Sequence, residues 1–160
     1  ESTVIPLYHF MRQLGLLGTY PAVILPQIAF SVALGTVWMR GYFASIPPSL
    51  SEAGAIDGAN KMRVLWHILV PVAAPGIATL ATLLFLYTWN EFLLGLVMLS
   101  DNPAARTTPV ALSFFAGNRR ESDPGVTAAA AVLVALPVLI AYIFAQRRFM
   151  QGLMAGAIKE

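Results

Sequence analysis

Ser49-Leu50-Ser51-Glu52-Ala53-Gly54-Ala55-Ile56-Asp57-Gly58-Ala59-Asn60, preceded by Ile46-Pro47-Pro48, is the most heavily punctuated stretch of the chain. Pro47-Pro48 stops any preceding helix, because proline fixes φ and has no N–H to donate. Ser49 with Glu52 three residues later has the spacing of a capping box, which predicts a short helix from Leu50. Gly58 stands where a left-handed residue would close that helix. Asn60 can cap a second helix, in which Met62, Leu65, Trp66 and Leu69 recur at i, i+3, i+4 and i+7 as one apolar face. Lys61, Arg63 and His67 lie mostly away from that face. The spacing therefore predicts two helices joined by a glycine elbow. Ala53, Gly54, Ala55 and Ala59 are small enough to let another surface come close. From spacing alone, a connecting loop resting on lipid headgroups is an equal alternative.

On either side of this stretch the chain is apolar over lengths that matter. A transmembrane helix needs about 20 mostly apolar residues to cross a hydrocarbon core of ~30 Å. Ala22 to Met39 carries no charge and stops at Arg40. Ile68 to Asn90 is charge-free, meets Glu91, and continues apolar to Leu99. Val126 to Ala145 ends against Gln146-Arg147-Arg148. These predict spans over about 22–43, 70–99 and 126–146, with a loop over 47–67 between the first two. Residues 1–20 stay open, as the tail of an earlier span followed by a loop.

The whole composition agrees. Of 160 residues, 58% are hydrophobic and 11% charged, and the mean hydropathy is +0.70. A soluble domain of this length carries roughly a quarter charged residues, so the apolar excess must face lipid or other apolar helices. The fold expected is an all-α integral membrane bundle. The net charge of +2 argues against a nucleic-acid face. Cysteine is absent, which excludes disulfides and thiolate metal sites. The chain opens on Glu1 with no basic segment ahead of an apolar run, so no signal peptide is read and a truncated chain is expected.

With three spans, the 40–67 loop and the C-terminal tail share one side. Arg40, Lys61, Arg63, Arg147, Arg148 and Lys159 lie there, against Arg12, Arg106, Arg119 and Arg120 on the other. The bias puts the loop and the C-terminus in the cytoplasm. Trp38, Tyr42, Trp89 and Tyr142 fall near span ends, where amphipathic rings favour the interface. Asn90 and Glu91 are polar groups in an apolar run, hence candidates for a pathway or packing role. Pro137 removes one helical hydrogen bond, and Ala128 to Ala131 permit tight helix packing.

Catalysis by this chain is not expected. His9 and His67 stand without metal-ligand spacing. No nucleophile elbow, dinucleotide fingerprint or phosphate-binding loop occurs. Any ATP hydrolysis must come from a partner, and no metal or cofactor is expected on this chain.

Ser51 to Ala59, followed by Ile68-Leu69-Val70-Pro71 and Pro75, resembles the EAA loop of ABC-importer permeases. Trp89-Asn90-Glu91-Phe92, Ala128 to Ala131 with Leu136-Pro137, and the tail Gln146-Arg147-Arg148-Phe149 with Gly152-Leu153 and Ala155 to Lys159 are similar to the carbohydrate-uptake branch, of the maltose transporter's smaller-permease type. Gly54 departs from the pattern, which usually has alanine there. The resemblance covers the last three of six spans and the end of the third, so the chain is expected to form the C-terminal part of one permease domain over 1–160.

The resemblance implies a type I importer bundle that pairs with a second permease, ABC ATPase subunits carrying ATP and magnesium, an extracytoplasmic solute-binding protein and membrane lipid, in the inner membrane. It implies that Ser51, Glu52, Ala53, Gly54, Asp57, Gly58 and Ala59 form the ATPase-coupling element. Trp89, Asn90 and Glu91 line a pathway or pack, and Gly152, Gly156 and Lys159 belong to an ATPase-contacting tail. The rival readings are a permease for another solute class, a non-functional remnant, and a secondary transporter or membrane scaffold.

Overall fold

The computed structural model describes residues 2–117 and 123–157, with side chains described over 2–115 and 123–143. Among the described residues every regular element is helical. In chain order these are α1 (Val4–Gln13), α2 (Pro21–Ala44), α3 (Pro48–Ile56), α4 (Lys61–Val72), α5 (Ala74–Trp89), α6 (Leu93–Met98), α7 (Thr108–Gly117) and α8 (Pro124–Ala157). A single 3₁₀ turn, Pro103–Ala105, precedes α7.

Two of these helices are long and apolar enough to cross a membrane: α2, and α8 over Pro124–Ile143. None of the latter stretch is buried within the chain, as expected of a helix facing lipid or another apolar surface. The 70–99 stretch is not the continuous helix its composition predicts. α4 and α5 meet at a bend of 70°, and the helix stops at Trp89 to restart at Leu93. Pro71 and Pro75 are the reason for the first break. Neither has an N–H, so the carbonyls of His67 and Pro71 lose their usual partners. Just upstream, Leu65–Leu69 forms a π turn in which the Val70 N–H reaches back five residues to the Leu65 carbonyl. Counting the bent pair as one span would give three.

Two helices lie where the sequence reading placed none. α1 occupies residues left open between a span tail and a loop, and α7 lies between the second and third apolar runs.

The chain divides into two compact units. In the unit of Glu1–Ser31 with Phe85–Ile140, the core is Met11, Ala22, Val23, Leu94, Met98, Leu99 and Ala105, with Leu7, Leu16 and Leu17 packed against it. α1 ends at a left-handed glycine, Gly15 at φ 67°. The Leu16 N–H returns to the Met11 carbonyl and the Gly15 N–H to that of Arg12, at 3.0 Å each. This is a Schellman closure. The next turn is pinned from a distance: Gly18 donates to the Met98 carbonyl at 2.8 Å, and Asn102 Nδ2 donates to the Gly18 carbonyl at 2.9 Å. α6 sits tightly on the segment after it, because Gly95 leaves room for Thr107 where a Cβ would not.

In the unit of Val32–Leu84 with Ala141–Glu160, glycine again marks close approach. Gly76 of α5 lies against the Tyr42 ring, which any side chain there would overlap. Leu80 packs over Gly35, and the buried Thr79 hydroxyl donates to the Pro75 carbonyl at 2.9 Å. Tyr42 is therefore a packing residue as well as a ring near a span end. Among the described residues the buried Trp38 indole N–H has no hydrogen-bond partner.

Candidate functional site

The stretch 47–67 folds as helix, turn, helix. α3 begins at Pro48, two residues earlier than the capping-box reading requires. Pro48 occupies the first helical turn, where its missing N–H costs nothing. Ser49 consequently lies inside the helix, and no side chain caps its start. The predicted Ser49–Glu52 box does not form. Ser51 instead donates to the Pro48 carbonyl at 2.7 Å. Glu52 is exposed and free to meet another surface.

The other two punctuation marks act as the sequence predicts. Gly58 adopts φ 78°. The Ala59 N–H reaches the Gly54 carbonyl at 3.0 Å and the Gly58 N–H that of Ala55 at 3.1 Å, a second Schellman closure. Asn60 Oδ1 accepts from the Arg63 N–H at 2.8 Å and so caps α4.

α4 packs on α3 by the side opposite Met62 and Trp66, a choice the sequence leaves open. Met62 and Trp66 remain 63% and 61% exposed, while Val64 is buried. A Cβ built on Gly54 would lie 2.6 Å from Ile68 Cδ1 and 3.1 Å from Val64 Cγ2. Val64 and Ile68 therefore hold the elbow together, through the space that Gly54 leaves. Met62 and Trp66 share one side of α4, as their spacing predicts, and that side is the exposed one. Gly54 also explains its own departure from alanine. The helix propensity lost there, roughly 1 kcal/mol, accompanies closer contact between the two arms. The face left outward carries Glu52, Ala53, Ile56 and Asp57, with Ile56 86% exposed.

In the other unit, Trp89-Asn90-Glu91 forms the break between α5 and α6. Each of the three side chains there makes a hydrogen bond. Trp89 Nε1 donates to the Val134 carbonyl of α8 at 3.1 Å, in the turn that Pro137 weakens by lacking an N–H. Asn90 Nδ2 donates to the Leu86 carbonyl at 2.7 Å. Glu91 Oε1 accepts from the Leu94 N–H at 2.8 Å, capping α6, and the Thr107 hydroxyl donates to the Glu91 carbonyl at 3.5 Å. Trp89 also stacks on Phe85, with centroids 5.8 Å apart. Glu91 and Tyr87 line a cavity of about 430 Å³ together with Thr3, Leu7 and Phe30. The sequence pointed to Glu91 but not to Phe30 or Leu7, whose approach to it is tertiary. No group of three or more metal-ligating side chains occurs among the described residues.

Gly152 and Gly156 lie on the helical run of α8. Lys159 lies outside the described residues.

Residues 3–152 match the family model described as "Binding-protein-dependent transport system inner membrane component". The chain belongs to that family. It is thus an ABC-importer permease sequence, and permeases are among the curated proteins it resembles. The trehalose transport system permease protein SugB of Mycobacterium tuberculosis is 38% identical, over 99% of this chain and 58% of its own length. The trehalose/maltose transport system permease protein MalG of Thermococcus litoralis is 35% identical, over 96% of this chain and 55% of its own. Among solved structures, a bacterial ABC transporter involved in import of the acidic polysaccharide alginate aligns at a TM-score of 0.64 and 30% identity, over 91% of this chain and 55% of that one. The chain therefore spans a little over half the length of the permeases it matches.

Proposed function

We propose that this chain forms part of the membrane-spanning subunit of an ATP-driven importer of sugars or sugar-like solutes, and that residues 47–67 are its docking point for the ATPase. The observation that carries this reading is the elbow. α3 is braced from behind by Val64 and Ile68 and closed by Gly58 in the left-handed region, with Glu52, Ala53, Ile56 and Asp57 directed outward. A braced, short, outward-facing helix can transmit a push without first collapsing on itself. An 86% exposed isoleucine on a polar tip is an anchor in want of a pocket.

In this reading the elbow and the C-terminus are cytoplasmic, and Gly152, Gly156 and Lys159 lie on a tail near the ATPase pair. ATP and magnesium bind the partner subunit and not this chain. A second permease completes the pathway and an extracytoplasmic protein delivers the solute. Closure of the ATPases draws the elbow inward and rocks the attached helices, so the pathway opens alternately to each side. Trp89, Asn90 and Glu91 serve chiefly to pack and hold the α5–α6 break, since each already has a partner within the chain. The sugar assignment rests on the trehalose and maltose permeases named above.

The test is Glu52→Lys and Gly58→Pro in the full-length assembly. Proline cannot adopt φ 78°, so Gly58→Pro removes the elbow, whereas Glu52→Lys reverses a charge on its outer face. Both variants are expected to abolish solute-stimulated ATPase activity and to weaken ATPase binding. Survival of both properties in both variants sinks the assignment. Uptake by proteoliposomes with a panel of sugars then reads the solute.

A further inference from the structure

We infer that α4 is an in-plane helix that seats Trp66 and Met62 in the anionic headgroup layer of the bilayer, so that the elbow is moored to lipid on the face opposite α3. The inference rests on the reading that residues 47–67 emerge on the cytoplasmic side. It adds a second partner, distinct from the ATPase.

Three observations lead there. First, α4 meets α5 at 70°. α5 belongs to the apolar run that enters the membrane, so a helix turned by that angle lies close to the membrane plane. Second, the two sides of α4 differ. Val64 is buried, and with Ile68 it closes on Gly54 of α3. Met62 and Trp66, one turn apart and roughly half a turn away from Val64, are 63% and 61% exposed. An exposed Trp–Met pair on a helix braced from behind is not a core in waiting, since its own chain has already packed the other side. Third, Lys61 and Arg63 flank that exposed pair, both exposed. Neither side chain has an ion-pair partner among the described residues.

The occupant that fits is an anionic lipid surface. Tryptophan is favoured at headgroup depth, where its ring is buried and its N–H stays wet. Lysine and arginine on either side can extend their stems along apolar surface and keep their charges at the phosphates. Charges of this kind attract the negative leaflet individually. Ile56, at the tip of α3, has no such cationic flank before Lys61, which separates the lipid face from the proposed ATPase face in composition as well as position.

The experiment uses the full-length permease in nanodiscs of phosphatidylglycerol or of phosphatidylcholine alone, with nitroxide labels at Met62→Cys, Trp66→Cys and, for contrast, Ile56→Cys. In the permease without ATPase, labels at 62 and 66 are expected to be relaxed by oxygen in preference to a water-soluble nickel chelate, with the label at 56 showing the reverse. Lys61→Gln with Arg63→Gln is expected to lower the seated-to-free ratio of the label at 66 in phosphatidylglycerol by about 25-fold, a factor of about five per charge.

The inference is overturned if positions 62 and 66 are open to the nickel chelate until ATPase subunits are added, because that face then docks protein. It is equally overturned if both labels are immobile and shielded from oxygen and chelate alike, because the rest of the permease then covers them. Impermeant labelling of Ser51→Cys in intact cells distinguishes failure of the docking role from failure of the lipid contact. Labelling from outside defeats the cytoplasmic docking role, whereas the depth measurement alone decides whether α4 rests on lipid.

Discussion

α1 and α3 end in the same way and are used differently. Each closes in a Schellman motif around a glycine at positive φ, Gly15 at 67° and Gly58 at 78°. After Gly15 the chain is claimed at once by its own unit. Leu16 and Leu17 pack on the core around Met11 and Met98, and Gly18 is bonded both by and to the 98–102 segment. After Gly58 nothing comparable happens. Asn60 starts α4, Val64 and Ile68 brace the helix behind, and the tip carrying Ile56 and Asp57 stays outward. One motif finishes an interior and the other presents a surface. The local sequence of a helix end thus specifies the bend, while what the following residues meet specifies its purpose.

Substitutions can separate these uses. The largest loss of stability is expected where the interior is tightest. Gly95→Val would drive a branched side chain into Thr107, because a Cβ at 95 alone would lie 2.9 Å from Thr107 Cγ2 and 3.3 Å from its Cβ. Overpacking of this kind costs roughly 1–3 kcal/mol, readable as a lowered thermal midpoint of the full-length permease, with the elbow unaffected.

A paired substitution sharpens the contrast. Gly15→Ala and Gly58→Ala each force a Cβ into the left-handed region at about 1–2 kcal/mol. Neither would meet another atom within 4 Å, so their effects on the thermal midpoint should match. Only Gly58→Ala is expected to lower solute-stimulated ATPase activity beyond what its stability loss explains. Equal coupling defects in the two variants would dissolve the distinction drawn above.

Gly54→Ala should change least. The atom nearest the added Cβ, Ile68 Cδ1, is the free end of a flexible side chain, and Val64 Cγ2 at 3.1 Å needs to yield only by a few tenths of an ångström. Its displacement offsets a gain of roughly 1 kcal/mol in helix propensity. Thermal midpoint and coupling should both stay near their starting values. A bulkier Gly54→Leu, by contrast, would separate the arms.

Much of this architecture can be read from the chain alone. The continuous spans were legible because Ala22 to Met39 and Val126 to Ala145 are long uncharged runs, and length in an apolar medium is what a span requires. Gly58 and Asn60 were legible because their roles are local: a left-handed turn and a side-chain acceptor three residues from an N–H. The capping box was misread because Pro48 starts α3 two residues early and carries Ser49 inside. The Met62–Leu65–Trp66–Leu69 spacing could be read, but not which side of α4 meets α3, because Val64 and Ile68 close on Gly54 only in the folded chain. Pro71 and Pro75 marked the bend, but hydropathy weighs side chains and is blind to missing N–H groups. Glu91 was recognised as unusual, yet its capping of Leu94 depends on a restart that no composition window shows. Phe30 and Leu7 come to Glu91 only through tertiary folding, and nothing in their neighbourhoods announces it.

The π turn has a consequence for how this loop can evolve. It holds one residue more than the α turn it replaces, so a single-codon deletion between Leu65 and Leu69 would restore regular winding while sparing both the Asn60 cap and the Pro71 break. Val64 and the residue now at Ile68 would then stand three apart, still on one side of the helix. Among homologous permeases, length differences in this region should therefore concentrate within that one turn, and the glycine bend before it should keep its distance from Glu52.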